Sequence, residues 1–289
     1  MSDQQEAAGE AEVDGPVLEC SVMEPGVVRV GLKVTVPVEK AWLALADPVR
    51  LARWFGEIGG PWLPGRRDRI EFGDGDFFEV LTHEVTECRV IDFEWRFLGL
   101  SPIARIRWTA KVVPDGTEIA VEDRDPHRTP AESDELLTGW TDFFQRLARY
   151  LATGESCRYE WRDDIDGSVD LPSSADAALQ QDTLSRWLPI ASDGFVPRWF
   201  FIVDDEGPRR FRVEDWSEEP GGLRFSIEIP GAAARSRCRV TVAGNRLSFS
   251  HSGWRALELP DRRALLLRRR FTAAWVAALD QARGLAEVR

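Results

Sequence analysis

Three histidines, His83, His127 and His251, are the side chains of this 289-residue sequence best suited to proton transfer near neutral pH. A nucleophile activated by a histidine base would have to be assembled around one of them. His83 shares strand parity with Leu81 and Val85, and His251 shares it with Leu247 and Phe249. Each is therefore either turned toward a cavity or a satisfied core or rim histidine. Asp123, Asp125 and His127 have a loosely metal-like spacing, but they fall in a turn beside Pro126 and read as solvated loop residues. Asp74-Gly75-Asp76 reads as a hairpin turn. None of the four cysteines, Cys20, Cys88, Cys157 and Cys238, sits in Cys-x-x-Cys spacing, which argues against a zinc site. No Gly-x-Ser-x-Gly, His-Glu-x-x-His, phosphate-binding loop or Rossmann glycine pattern occurs. Catalytic residues are thus unassigned, and neither a metal nor a cofactor is expected.

Composition narrows the partners. The net charge of −12 disfavours nucleic acid and anionic membrane surfaces, both of which select positive protein surfaces. The basic run Arg262-Arg263 and Arg268-Arg269-Arg270 is the exception and reads as the solvated side of a final helix. No apolar run reaches the length of a membrane span, and the acidic, polar beginning carries no signal-peptide pattern. With unpaired thiols, this leads to the expectation of a cytoplasmic protein. Residues 1–16, rich in Gln, Glu, Ala and Gly, are expected to be a disordered tail. An apolar content of 43% supports a sizeable core. Twelve Trp against two Tyr and two Met suggest walls around a cavity too wide for aliphatic packing.

The elements that would position these groups can be read from period and punctuation. Val28, Val30, Leu32, Val34 and Val36 share one parity, which marks an edge strand with one buried face, ended by Pro37. Trp42, Leu45, Leu51 and Trp54 follow at helical spacing, split by Asp47-Pro48 into two short helices. Ile91 to Phe97 and Arg105 to Val112 alternate as strands, and the turn Pro114-Asp115-Gly116 leads to a partner strand over 117–123. Asp134 to Leu151 carries an apolar helical stripe through Leu136, Trp140, Phe144 and Leu147, with Gly154 as its stop.

In the segments V-T-V-P-V-E-K-A-W, D-P-V-R-L-A-R-W-F and G-W-T-D-F-F-Q-R-L-A-R-Y-L the chain resembles the START-like helix-grip superfamily, also called SRPBCC or birch-pollen-allergen-like. The closer likeness is to the branch named for the activator of the heat-shock chaperone ATPase. This resemblance implies an α+β fold in which a curved antiparallel sheet wraps a long C-terminal helix, with an apolar ligand in the gap. Inward aromatics would line that gap: Trp54, Trp62, Phe93, Trp95, Trp108, Trp140 and Phe144 in the first half. Trp187, Trp199, Phe211, Phe225, Phe249, Phe271 and Trp275 would do so in the second, with His83 and His251 as polar candidates.

The second half repeats the order of the first. Tyr159, Trp161, Ile165, Val169 and Leu171 share parity and are followed by Pro172, as Val36 is by Pro37. L-S-R-W-L echoes L-A-R-W-F. The final stripe Leu267, Phe271, Trp275, Ala278 and Ala282 matches the helix through Trp140, with Phe271 aligned to Trp140 at a shift of 131. The reading is a tandem duplication, with helix-grip domains over 17–156 and 157–289 after the tail. A linker of about three residues after Gly154 would hold the copies against each other. Tandem architecture is similar to the di-domain START-like proteins of enediyne clusters, including that of dynemicin. This implies binding of a large hydrophobic, linear polyketide or polyene intermediate in an inter-domain cavity, with assistance to cyclisation and biosynthetic partner proteins as further implications. Two alternatives stand beside it: sequestration of the finished product for self-resistance, and a chaperone-ATPase-activating interaction module.

Overall fold

A computed structural model describes residues 17–172, 174–192, 196–204 and 207–287; the expected tail over 1–16 lies outside the described residues. In the first half the elements run β1 (Val17–Glu24), β2 (Val27–Val34), α1 (Val38–Ala46), α2 (Pro48–Leu51), β3 (Glu57–Ile58), β4 (Arg67–Glu71), β5 (Phe77–Thr86), β6 (Val90–Phe97), β7 (Ala104–Val113), β8 (Gly116–Arg124) and α3 (Pro130–Thr153). Their strands form one antiparallel sheet in the order β1-β2-β8-β7-β6-β5-β4-β3. The second half contributes β9 (Ile165–Asp170), a 3-10 turn over Ala175–Leu179, α4 (Gln181–Trp187), β10 (Ile190–Ser192), β11 (Pro197–Asp204), β12 (Gly207–Glu219), β13 (Gly222–Glu228), β14 (Ser236–Ala243), β15 (Arg246–Ser252) and α5 (Asp261–Glu287). Its sheet runs β10-β11-β12-β13-β14-β15-β9. This is the expected tandem α+β architecture.

Local chemistry explains the boundaries. Pro37 caps α1, and Asp47 accepts a hydrogen bond from the Arg50 amide to cap α2, with Pro48 at the first helical position. α3 begins four residues earlier than its apolar stripe suggests. Thr129 and Glu132 form a reciprocal capping box, and Pro130 starts the helix. Gly154, in left-handed conformation, ends it. β2 is not an edge strand: β1, whose side chains are mostly exposed and carry no alternating signal, covers it. Gly116 opens β8 at φ 141°, and a Cβ there would lie 2.1 Å from the Val34 carbonyl oxygen.

The duplication is visible in hydrogen bonds. The Trp54 indole donates to the Ala44 carbonyl at 2.9 Å, and Trp187 donates to Ala178 at 2.9 Å. Across the first sheet Val28, Asp123, Ile106 and Phe93 lie in one row. Ile165, His251, Cys238 and Phe225 form the corresponding row in the second. The final helices meet these rows at Trp140, whose indole donates to Asp123 Oδ2 at 3.0 Å, and at Trp275, which donates to His251 Nδ1 at 3.2 Å. Trp275 is therefore the counterpart of Trp140, at a shift of 135 residues, and Phe271 is not.

The segment between the halves is longer than three residues. Regular strand resumes only at Ile165, because the intervening chain is bound to the first half. The Cys157 amide donates to the Arg53 carbonyl at 2.9 Å, and the Arg162 amide donates to Asp74 Oδ2 at 3.2 Å. The Tyr159 ring packs on Phe72 and Phe143. Arg268 departs from the solvated reading: it is 0% exposed and uses every guanidinium donor. These reach the carbonyls of Asp74, Arg162 and Asp164 and both carboxylate oxygens of Asp76, at 2.6–3.1 Å. Leu98 and Leu100, from the turn after β6, sit in the core of the second half.

Candidate functional site

Between α3 and the first sheet, Trp54, Trp62, Phe93, Trp95, Trp108, Trp140 and Phe144 are all buried in one cluster. Trp95 stacks on Trp140 at 5.2 Å, and Trp108 meets Phe93 edge-on at 5.3 Å. Such contacts add roughly 0.5–1.5 kcal/mol per pair beyond area burial. The gap expected to hold a ligand is occupied here by these side chains. Trp54, Trp62 and Trp140 donate their indole N–H groups to protein acceptors. The buried Trp108 N–H has no hydrogen-bond partner. Leaving such a donor unpaired costs about 1–3 kcal/mol.

In the second half Trp187, Phe211, Phe225, Phe249, Phe271 and Trp275 are buried together. Trp199 is a correction: it lies half-buried on the opposite face of β11, with the Arg210 guanidinium 4.6 Å over its ring. Strand alternation places its neighbour Phe200 inward, stacked on Phe271 at 5.5 Å. His83 is the rim histidine of its two alternatives. A bulge in β5 at this residue interrupts the parity shared by Leu81 and Val85, and His83 lies half-buried, its Nε2 3.2 Å from Glu94 Oε1.

His251 is the satisfied core histidine of the two alternatives. Its Nδ1 accepts from Trp275, so its Nε2 carries the proton and donates to Ser236 Oγ at 2.8 Å. Burial, helped by the nearby Arg268 charge, lowers its pKa from 6.5 to about 3. Asp123 is a second correction, since it is fully buried rather than solvated. Its Oδ1 takes the Arg128 Nη2 at 2.6 Å, and burial pushes its carboxyl pKa up against that opposing charge. Asp125, also read as solvated, is buried as well, and its Oδ1 accepts the His127 backbone N–H. Among the described residues no group of His, Cys, Asp and Glu is arranged to hold a metal ion, and no helix is long and apolar enough to cross a membrane.

A cleft of about 860 Å³ lies at the junction of the halves. Phe72 and Phe77, flanking the β4–β5 turn, face it with Tyr159 and Trp161 of the connecting segment and Leu265 of α5. Sequence reasoning missed these residues. Their signal was the aromatic content of Phe72 to Phe78 and Tyr159 to Trp161, on either side of the junction. Two ion pairs stand on its charged rim: Glu57 with Arg158 at 2.5 Å, and Glu160 with Arg255 at 3.6 Å. Arg255 also lies 4.7 Å over the Trp161 ring. Phe72 continues inward through Phe55 and Phe143 to the Trp140 cluster, each ring within 6.1 Å of the next. Burial raises the Tyr159 phenol above its ordinary range. It likewise raises Asp74, beside Asp76.

The family model described as Activator of Hsp90 ATPase homolog 1-like protein matches residues 35–152. Among solved structures, the crystal structure of DynU16, a protein of the dynemicin biosynthetic locus, shares 43% identity and a TM-score of 0.86, covering 91% of this chain and 100% of its own. MLL2253 from Mesorhizobium loti shares 22% identity and a TM-score of 0.40 over 44% of this chain and 96% of its own. The solution structure of CalU16 from Micromonospora echinospora shares 19% and a TM-score of 0.43 over 51% of this chain and 80% of its own. No curated protein matches. From its identity to DynU16 over nearly the whole length, the chain belongs to the START-like, Activator of Hsp90 ATPase homologue 1-like family, in the tandem form that DynU16 has.

Proposed function

We propose that this protein binds an extended, largely apolar and conjugated small molecule, of polyketide or polyene type, in the cleft between its halves during natural-product biosynthesis. The observation that carries this reading is the cleft itself, about 860 Å³ with Phe72, Phe77, Tyr159 and Trp161 around it. That volume lies in the range of drug-sized sites, and flat rings complement a conjugated chain by stacking. The continuous ring path from Phe72 to Trp140 extends the same surface inward. The dynemicin-locus setting of DynU16 supports a biosynthetic context. The cleft lining contains no histidine, cysteine, serine or lysine. In this reading the cleft holds the ligand, and cyclisation would follow from the conformation imposed on the bound chain.

The test is titration of the full chain with retinol, a neutral linear polyene, followed by calorimetry. Saturable one-to-one binding is expected, and Trp161→Ala should weaken it about tenfold while Trp199→Phe leaves it unchanged. Saturable binding indifferent to Trp161→Ala, or no binding of any linear polyene, would remove the junction cleft as the site. Intact-mass analysis after incubation with a finished enediyne separates the sequestration alternative. An unmodified chain holding the product at the cleft would favour it.

A further inference from the structure

Two of the rings that line the junction cleft, Tyr159 and Trp161, carry a polar atom as well as a flat face. The Tyr159 ring is fixed by Phe72 and Phe143, with centroids 5.5 and 5.7 Å away. Trp161 is held under the Arg255 guanidinium, which also donates to the Trp161 carbonyl at 3.1 Å. Both side chains are half-buried. The indoles of Trp54, Trp140, Trp187 and Trp275 all donate to protein acceptors. The Tyr159 hydroxyl and the Trp161 indole N–H, by contrast, have no hydrogen-bond partner among the described residues. The carboxylates nearest the hydroxyl are already engaged: Asp74 and Asp76 accept from Arg162, Arg268 and the Asp76 amide. Burial keeps the phenol protonated, so it stands in the cleft as a neutral donor.

The charges around the cleft do not favour an anion. Arg158 and Arg255 are committed to Glu57 and Glu160, and Arg162 and Arg268 to Asp74 and Asp76. Arg269 remains, on the Gly73 carbonyl, but Glu71 and Asp261 line the same cleft with no ion pair among the described residues. Two uncommitted carboxylates therefore face one uncommitted guanidinium, and a carboxylate ligand would enter against that balance. From the unpaired donors and these charges we infer that the occupant is an uncharged conjugated carbonyl compound, a ketone or ester, whose oxygen is recognised by the Tyr159 hydroxyl with the Trp161 N–H as second donor. A carbonyl oxygen accepts two hydrogen bonds and donates none, which matches two donors. The inference rests on the junction cleft being the ligand site.

Isothermal titration of the full chain with methyl retinoate, retinoate and anhydroretinol tests it, since these share a polyene and end in an ester, a carboxylate and a hydrocarbon. Methyl retinoate should bind about tenfold more tightly than either of the others. Tyr159→Phe keeps the ring, and should lower methyl retinoate affinity about tenfold relative to that for anhydroretinol. The melting temperature should not change, because the hydroxyl has no protein partner to lose. Equal affinity for methyl retinoate and anhydroretinol, tightest binding of retinoate, or an equal effect of Tyr159→Phe on ester and hydrocarbon would each overturn the inference while leaving the cleft as the site. Absence of binding by all three, or binding indifferent to Trp161→Ala, would remove the cleft as the site and the inference with it.

Discussion

Two equivalent positions, Asp123 and His251, show how one geometric need is met by two chemistries. Each accepts the indole N–H of the helix tryptophan that faces it. Asp123 is matched by the Arg128 guanidinium, whereas His251 is neutral and donates its Nε2–H to Ser236. The neutral solution has a pH consequence. Because the folded-state pKa of His251 is depressed to about 3 while the unfolded value stays near 6.5, the unfolded chain gains a proton first as pH falls. Stability therefore decreases through that window, by about 1.4 kcal/mol per pH unit for this one group. Urea unfolding of the parent and His251→Gln at pH 6.5 and 4.5 checks this. The variant should be less stable at pH 6.5 but should lose roughly 2–3 kcal/mol less on acidification. Equal losses in the two proteins would mean that His251 is protonated in the folded state.

At the scale of elements, turns decide where strands may lie. Gly154 and Gly116 both take positive φ, but for different reasons. A Cβ on Gly154 would meet nothing within 4 Å, so its role is conformational. A Cβ on Gly116 would collide with the backbone of Val34, so its role is also close approach of β8 to β2. Gly154→Ala should cost about 1 kcal/mol, and Gly116→Ala more than about 2 kcal/mol. Chemical denaturation of the two variants compares them directly, and an equal cost would show that the β7–β8 turn relaxes to admit the methyl group. The bulge at His83 is the other element-level device. It lets β5 change the face presented to the core partway along its length.

For the whole molecule, Arg268 is the most deeply buried of the polar contacts that join the two halves. It ties α5 to the Asp74–Asp76 turn of the first half and to the connecting segment. Gly75 in that turn would place a Cβ 2.9 Å from the Arg269 Cα, so the docking is close. Removing one partner from such a buried set leaves the others charged in a poorly solvated place. Arg268→Met should cost about 3–5 kcal/mol and divide the calorimetric unfolding into two transitions. Adding Asp74→Asn and Asp76→Asn to that variant should restore part of the loss. A single, undisplaced transition in Arg268→Met would show that Leu98, Leu100 and the remaining contacts suffice to couple the halves.

Sequence alone determined the repeating unit. Alternation in β6, β7 and β8, the proline breaks at Pro37 and Pro172, and the stripes of α3 and α5 depend on neighbours along the chain, so period and punctuation carry them. The buried aromatic set was legible for the same reason, apart from Trp199, where the run Trp199-Phe200-Phe201 offers rings to both faces. Its occupancy was not legible, because whether inward rings surround a void or fill it depends on how far the helix stands from the sheet. Burial of Arg268, Asp123 and His251, the covering of β2 by β1, and the junction cleft were likewise decided only by the tertiary structure. The Arg268–Asp74 contact joins residues 194 apart, and charges so distant can neutralise or exclude water from one another only once two copies have folded and met.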